Sequence, residues 1–445
     1  MAEHWPMLEA LMGGTAEMRK QGQKLLPRWP AEEAEHYKTR LAAATLFPAY
    51  SRTVGVMSGK PFSKMLSLSD ETPDVVKELE SNIDMQGTNL HMFCAGALID
   101  AMAYGISGVL VDHPTTEGLR TKADQDAAGV RPYFTHYRHG CILGWRTKTE
   151  AGRTTLTQLR LLEEVCEDDG DFGEQHVEQV RVLTPGAWQT YRKRDKNSDD
   201  WEVHEEGTTS IGAIPFVFFY GVRCGFGIGE PPLLELAHQN VEHWQSSSDQ
   251  QNIMHVARVP ILTTIGADGA DVVIGASNSV GLPMGADMKF VEHSGESIGA
   301  GRESLKDLED RMRQTGAELL IVKPGQVTAT QVQNESEANR SVLQTIAESA
   351  EDSIDQCLQF AADWLKAGDG GSVTLFKDFG VSSLGDMGLQ VLKDSALGGL
   401  ISHETYFNEM KRRGLIAPDA SWEDELDRIG EQGPAMAPGD AGNGE

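Results

Sequence analysis

Apolar residues recur every three to four positions from about Ala31 to Ser58, and Tyr37, Leu41, Ala44 and Leu46 share the face that this period predicts for a buried helix. A Gly-Lys-Pro break follows at Gly59. The same spacing returns from Thr88 to Tyr104 through Leu90, Phe93, Ala97, Leu98 and Ala101, with Gly105 as the stop. The chain then turns into a strand, ISGVLVDHP. Between about Arg131 and Tyr220 the period drops to two. The stretches CILGWRTK, TTLTQLRLLEEV, EQVRVLT, AWQTYRKR and FVFFYGV read as strands, with an acidic loop expected around Glu167–Asp171.

Helical patterning resumes at Pro231–Pro232, which suit a first turn, and runs to Arg258 and Pro260. Its polar run Ser246–Asn252, SSSDQQN, is a poor helix former and predicts either a kink or a wet, channel-lining face. A Gly-rich β segment spans Ile261 to about His293. A strongly charged helix follows from about Ile298 to Leu319, and then the turn-prone piece IVKPGQVTATQVQ. A long helix is expected from about Glu335 to Lys366 and short helices from Leu389 to Ile429. The closing GEQGPAMAPGDAGNGE has the composition of a disordered tail. No internal repeat is visible.

Composition narrows the function classes. The chain has 445 residues, enough for two or three cores. Lys+Arg number 39 and Asp+Glu 67, giving a formal charge of −28. A protein that grips DNA through its phosphates needs a basic footprint, so the balance argues against a gripping DNA binder. It leaves room for an acidic wall that surrounds DNA and lets it slide. The five cysteines, Cys94, Cys141, Cys166, Cys224 and Cys357, lie far apart without a C-x-x-C pair, which gives no metal framework and suits a reducing compartment. The first residues show no basic or apolar leader pattern, and the apolar stretch Phe93–Val111 carries Asp100 and Gly105. A soluble protein made inside the cell, with no membrane span, is the expectation.

Several stretches invite a chemical reading and fail it. Gly55-Val-Met-Ser-Gly59-Lys60-Pro61 has three residues between its glycines where a phosphate loop has four, and Pro61 replaces the Mg²⁺-binding hydroxyl. Gly225-Phe-Gly227-Ile-Gly229 runs straight into Pro231 and Pro232, so a flexible strand-to-helix connection is expected there and no dinucleotide site. His136 and His139 would point to opposite faces of a strand, and His238 and His243 diverge on a helix. Asp168 and Asp169 read as solvated loop charges. No nucleophile elbow appears. The expectation is a non-enzymatic protein with no cofactor, no metal and no catalytic residue.

The charged helix is the informative element. Ile298, Leu305, Leu308, Met312 and Leu319 form one narrow near-heptad seam, while Arg302, Glu303, Lys306, Asp307, Glu309, Asp310, Arg311 and Arg313 cover the other faces. Such a helix packs along one line. It is either a surface helix paired with its predecessor, or a helix with a charged side on a water-filled channel.

The order of an α+β module, helix, small β insert, charged helix, loop, long helix and helical C-terminus resembles that of portal proteins of tailed double-stranded DNA bacteriophages. AYGISGVLVDHP, VRVLTPGAWQTYR, IPFVFFYG, PPLLELAHQNVEHWQSSSDQQNIMHVARVPIL and KFVEHSGESIGAGRESLKDLEDRMRQTGAELL are similar to a subgroup of such sequences, over roughly residues 35 to 425. The resemblance implies an α+β portal-like fold. It would have an N-terminal wing over 1–230, β-rich at 131–220, stem helices at 231–256 and 295–318, and a clip at 257–294. A tunnel loop and long wing helix would occupy 319–380, with a helical crown at 381–430 and a tail at 431–445.

The resemblance also implies a ring, expected as a dodecamer, at a capsid vertex of the virion. Double-stranded DNA passes through it during packaging and ejection, and its partners are the terminase large subunit, the major capsid protein and a head-tail adaptor. Lys323, Gln326, Thr328, Thr330 and Gln331 fall on the tunnel loop. Arg302, Lys306, Arg311 and Arg313 are the stem candidates for facing the channel, and one sequence does not decide among them. Arg258, Asp268, Asp271 and Lys289 fall on the clip interface. Another virion connector or tail-adaptor protein is the alternative.

Overall fold

The computed structural model describes residues 1–114, 129–170, 172–194, 200–257, 261–266, 287–291, 296–320, 341–377, 402–412 and 421–432, with a few isolated positions besides. The chain divides into two units, Met1–Lys377 and Asp378–Glu445. Both α-helix and β-sheet build the first, in an α+β arrangement of mainly antiparallel strands.

The N-terminal helices are α1 (Trp5–Gln21), α2 (Ala34–Ala43) and α3 (Ala49–Gly59), followed by short β1 (Ser67–Leu68) and α4 (Asp74–Lys77). The single helix expected over 31–58 is therefore two. Pro48 lacks an N–H and disfavours helical geometry at Phe47, so the chain extends between them. Gly55–Gly59 lies inside α3, and its amides are committed to a helix rather than to a phosphate-cradling loop.

Helix α5 (Leu90–Tyr104) starts where the side chain of Asn89 accepts the Met92 amide at 2.8 Å, and it ends at Gly105 with φ +91°. It is buried almost all round, and strand β2 (Ile106–Asp112) continues from it into a three-stranded sheet ordered β3-β2-β9, with β3 at Tyr133–Tyr137 and β9 at Phe216–Tyr220. β9 is buried at every position, as a strand covered on both faces must be.

The middle of the chain forms a five-stranded antiparallel sheet ordered β4-β5-β6-β7-β8, from β4 (Ile142–Glu150), β5 (Arg153–Asp169), β6 (Gly173–Thr184), β7 (Ala187–Lys193) and β8 (Trp201–Thr208). Leu156, Leu159, Leu161 and Leu183 on it pack with Leu110, Phe216, Phe218 and Tyr220 of the smaller sheet. A polar seam beside this core joins the two. Arg181 Nη1 reaches Asp112 at 2.7 Å and Glu163 at 3.6 Å, and Tyr137 donates to Glu163 at 2.5 Å. Of the acidic loop expected at Glu167–Asp171, residues Glu167–Asp169 are instead strand: β5 runs to Asp169 opposite β6, which begins at Gly173, and Asp171 lies outside the described residues. Cross-strand pairing carries the ribbon beyond the core, where side-chain polarity says little about backbone state.

β10 (Val222–Gly225) and β11 (Ile228–Glu230) form a tight hairpin, not the flexible connection expected of the Gly225–Gly229 run. Gly227 takes φ +70° at its tip, against Trp145. Gly229 then crosses Gly105 so closely that a Cβ on it would sit 2.2 Å from the Gly105 carbonyl oxygen. This crossing launches α6 (Leu234–Ala257).

After α6, β12 (Ile261–Ile265) pairs with β13 (Asp287–Val291) within the expected β insert. Then come α7 (Glu296–Ala317), α8 (Val342–Leu365) and β14 (Val373–Thr374), which pairs with β1. α8 begins with a capping box, in which Ser341 and Gln344 satisfy each other's amides, and its buried face of Leu343, Ile346, Ile354 and Leu358 lies on β9 and β2. In the second unit α9 (His403–Arg412) and α10 (Trp422–Gln432) pack Phe407 against Trp422 at 5.4 Å. Among the described residues, no helix is long and apolar enough to cross a membrane.

Candidate functional site

α7 packs along one line. Leu308 and Met312 are each 2% exposed, Leu319 beyond the helix end is buried, and Ile298 and Leu305 are half-buried, so the heptad seam is the packed edge. Its partner is α6. Gln239 and Thr315 exchange hydrogen bonds at 3.2 Å, Gln250 donates to the Ile298 carbonyl at 3.0 Å, and His243 Nε2 lies 3.5 Å from Glu309. Gly301 lets the helices close, because a Cβ there would meet the Gln250 side chain.

Successive residues of a helix are turned by about 100°, so the row opposite that seam is Glu303, Asp307, Asp310 and Gln314. All four are exposed and line a shallow open groove with Ala300, Ser304 and Arg311. The cations sit to the sides. Arg302, Lys306 and Arg313 share one flank, and Arg311 lies on the other, 3.9 Å from Glu242 of α6. Arg313 is engaged within its own helix by Asp310 and by Glu309, the latter at 3.4 Å. Arg302 and Lys306 make no ion pair with a described residue. The four basic candidates are thus all on the helix surface, while the outermost row is acidic.

The polar run Ser246–Asn252 neither kinks nor faces only water: α6 is one helix through it. Its side chains meet a buried guanidinium. Arg40 of α2 binds Glu32 through Nε at 2.7 Å and Nη2 at 2.9 Å, donates to the Pro27 carbonyl, and reaches both Ser248 Oγ and Asp249 at 3.5 Å. Trp29 covers it at 4.3 Å. Arg40 and Glu32 are only 4% and 5% exposed, and the Arg40 hydrogen bonds hold the Glu32 carboxyl below its usual range. Asn240, wholly buried, accepts from Tyr50 N at 2.9 Å and donates to Phe47 O at 2.8 Å. These inward contacts anchor the first half of the helix pair to the N-terminal helices.

Among the other candidates, Lys289 is exposed on β13. Arg258, Asp268 and Asp271, and the loop residues Lys323, Gln326, Thr328, Thr330 and Gln331, lie outside the described residues. His136 and His139 turn to different partners, Asp100 at 3.6 Å and Glu9 at 3.0 Å. His238 lies edge-on to His4, and His243 packs on Phe47.

Burial, with help from Arg138, depresses the His136 imidazole to about 4. The unfolded chain therefore takes that proton first, and stability falls as pH drops from about 6.5 towards about 4, by about 3 kcal/mol for this group alone. Asp100 acts oppositely, because burial raises its carboxyl and the folded chain binds that proton more readily. Denaturant unfolding at several pH values should show a shallower acid slope in His136→Asn; identical slopes would refute this account.

Comparisons with known proteins add the following. Residues 232–365 match a family described as a domain of unknown function (DUF4055), a span from the start of α6 to the end of α8. No curated protein matches the chain. Among solved structures, a chain of the virion of a native gene transfer agent particle is similar at TM-score 0.42 and 12% identity, covering 82% of this chain and 88% of that one. A chain from the neck of the empty particle, computed with C6 symmetry, gives TM-score 0.42 and 13% identity over 80% and 88%. One from the neck of the native particle, computed with C12 symmetry, gives 0.40 and 12% over 89% and 99%.

Proposed function

We propose that this chain is the portal subunit of a phage-like particle, a ring-forming virion protein that conducts double-stranded DNA and catalyses no reaction. The observation that carries the reading is α7, seated against α6 along one apolar line with an exposed, mainly acidic row on its far side. A helix pair launched from one compact body, crossing a β insert and returning to the long helix α8, matches the order of stem, clip, stem and wing helix that the sequence resemblance implies. An acidic row facing a duplex repels phosphate, so DNA slides without being held. Rotational closure of identical subunits supplies the ring. In this reading terminase and adaptor dock on the β insert, around Arg258, Asp268, Asp271 and Lys289. The loop with Lys323, Gln326, Thr328, Thr330 and Gln331 narrows the bore, and the capsid protein surrounds the body.

Negative-stain electron microscopy of the purified chain tests the assembly. Closed rings with a hole of about 20 Å or more, the width a duplex needs, are the expected result. Monomers or dimers that stay so in the presence of capsid partners would refute it. Deleting residues 325–330 should leave rings intact but lower the DNA content of particles; full particles would remove the loop from the mechanism.

A further inference from the structure

The outer end of the β5–β6 ribbon carries a group of side chains that the portal reading does not use. Cys166 stands directly opposite His176 in the ladder, and the neighbouring pairs on that face are Asp168 opposite Glu174 and Glu164 opposite Glu178. All six side chains are exposed on one side of the two strands. Like charges placed directly across a ladder are destabilising, and here two such pairs bracket a thiol and an imidazole.

The geometry points to a divalent transition-metal site, of the kind that takes Zn²⁺, formed by Cys166, His176 and Glu174. One ligand atom from each of the three lies within 4.8 Å of the others. The Cys166 thiol already donates to Glu174 Oε2 at 3.4 Å, close to the ligand-to-ligand edge of about 3.5 Å that tetrahedral zinc bonds of about 2.0–2.3 Å require. Exposed side chains on facing strands close the remaining gap by changing rotamer.

Glu164 Oε1 lies 3.2 Å from His176 Nδ1. In the neutral ring Nδ1–H donates to that carboxylate and leaves the Nε2 lone pair for the metal, the carboxylate–histidine arrangement that orients metal-binding imidazoles. A thiolate, an imidazole and a carboxylate form a donor set suited to Zn²⁺ or Co²⁺ and ill-suited to Ca²⁺ or Mg²⁺, which prefer oxygen alone. Water completes the tetrahedron. Binding replaces the Cys166 S–H bond with a metal–sulfur bond and releases one proton to solvent, so affinity rises with pH. The cation also offsets the two like-charge pairs, cross-linking β5 to β6 beyond the core.

Titrating the full chain with Co²⁺ tests the site, because only a thiolate ligand gives a sulfur-to-cobalt charge-transfer band. One equivalent per chain, with that band and tetrahedral d–d absorption, is expected, and Zn²⁺ should displace it. Cys166→Ser should abolish the band while Cys224→Ser, at the other exposed cysteine, leaves it unchanged. Glu164→Gln, which alters the residue behind the imidazole, should weaken Co²⁺ about tenfold or more. No charge-transfer band, or an equal band in Cys166→Ser, would overturn the assignment. Each substituted residue is exposed, and an unchanged far-UV spectrum separates lost metal from lost fold.

Discussion

Gly229→Ala is expected to cost the chain about 3 kcal/mol or more and to leave most of it insoluble or partly unfolded. The added methyl would sit 2.2 Å from the Gly105 carbonyl oxygen. That oxygen is already the acceptor for the Gly221 amide at 3.0 Å, so it has no free direction in which to yield. A core side chain can change rotamer when crowded, whereas two backbones crossing face to face can only separate. Separation here would pull β11 from the end of α5 and lose the launch point of α6. Thermal unfolding of Gly229→Ala beside Gly212→Ala, whose surroundings are open, isolates the effect. A Gly229→Ala protein that melts with the wild type would show that the crossing opens at little cost.

The second large effect is expected at Arg40. Removing its side chain leaves Glu32 charged and almost fully enclosed, and breaking one partner of such a pair costs about 3–5 kcal/mol. The loss should spread along α6, because Ser248 and Asp249 lose the group they turn towards. Hydrogen exchange should therefore accelerate across residues 246–252 in Arg40→Ala, by more than at β9, where no Arg40 contact reaches. Uniform acceleration would mean simple global destabilisation. An unchanged pattern would mean that the polar run is held by its own helix.

Those two positions mark where the sequence was legible and where it was not. The bounds of α6 and α7 follow from apolar spacing and from the breaks around Pro231 and Pro260, and the seam of α7 is readable because a one-sided helix shows its pattern without interference. The end of α8 is legible too, but the spacing puts its start at about Glu335, whereas the extended Ser341 caps a helix that begins at Val342. The fate of Ser246–Asn252 was not readable, since what stabilises it is a guanidinium more than 200 residues earlier in the chain. α1 and β8 also escaped the periodicity. The first spans a kink at Gly14, and the second is exposed along almost its whole length, so neither carries a clean apolar face. The paired glycines looked like slack because sequence cannot tell a glycine needed for flexibility from one needed for thinness. At the site, the charges on α7 could be counted but not assigned to faces until its seam was seated on α6. The Cys166–His176 pair lies ten residues apart and depends on a register that only the ladder reveals.

β8 ends the five-stranded sheet, and among the described residues no strand pairs with its outer edge. Seven of its eight residues, Trp201 to Glu206 and Thr208, are exposed, and Glu202, Glu205 and Glu206 lie among them. An open edge of this kind ordinarily invites a stranger's strand. In the proposed ring, copies of this chain would have to crowd together before closing, and at that stage each would be the other's nearest template. Repulsion between matching glutamates makes edge-to-edge zipping unfavourable. The route left open is association through the remaining surfaces, which turns a strip of surface charge into a safeguard on the order in which contacts form.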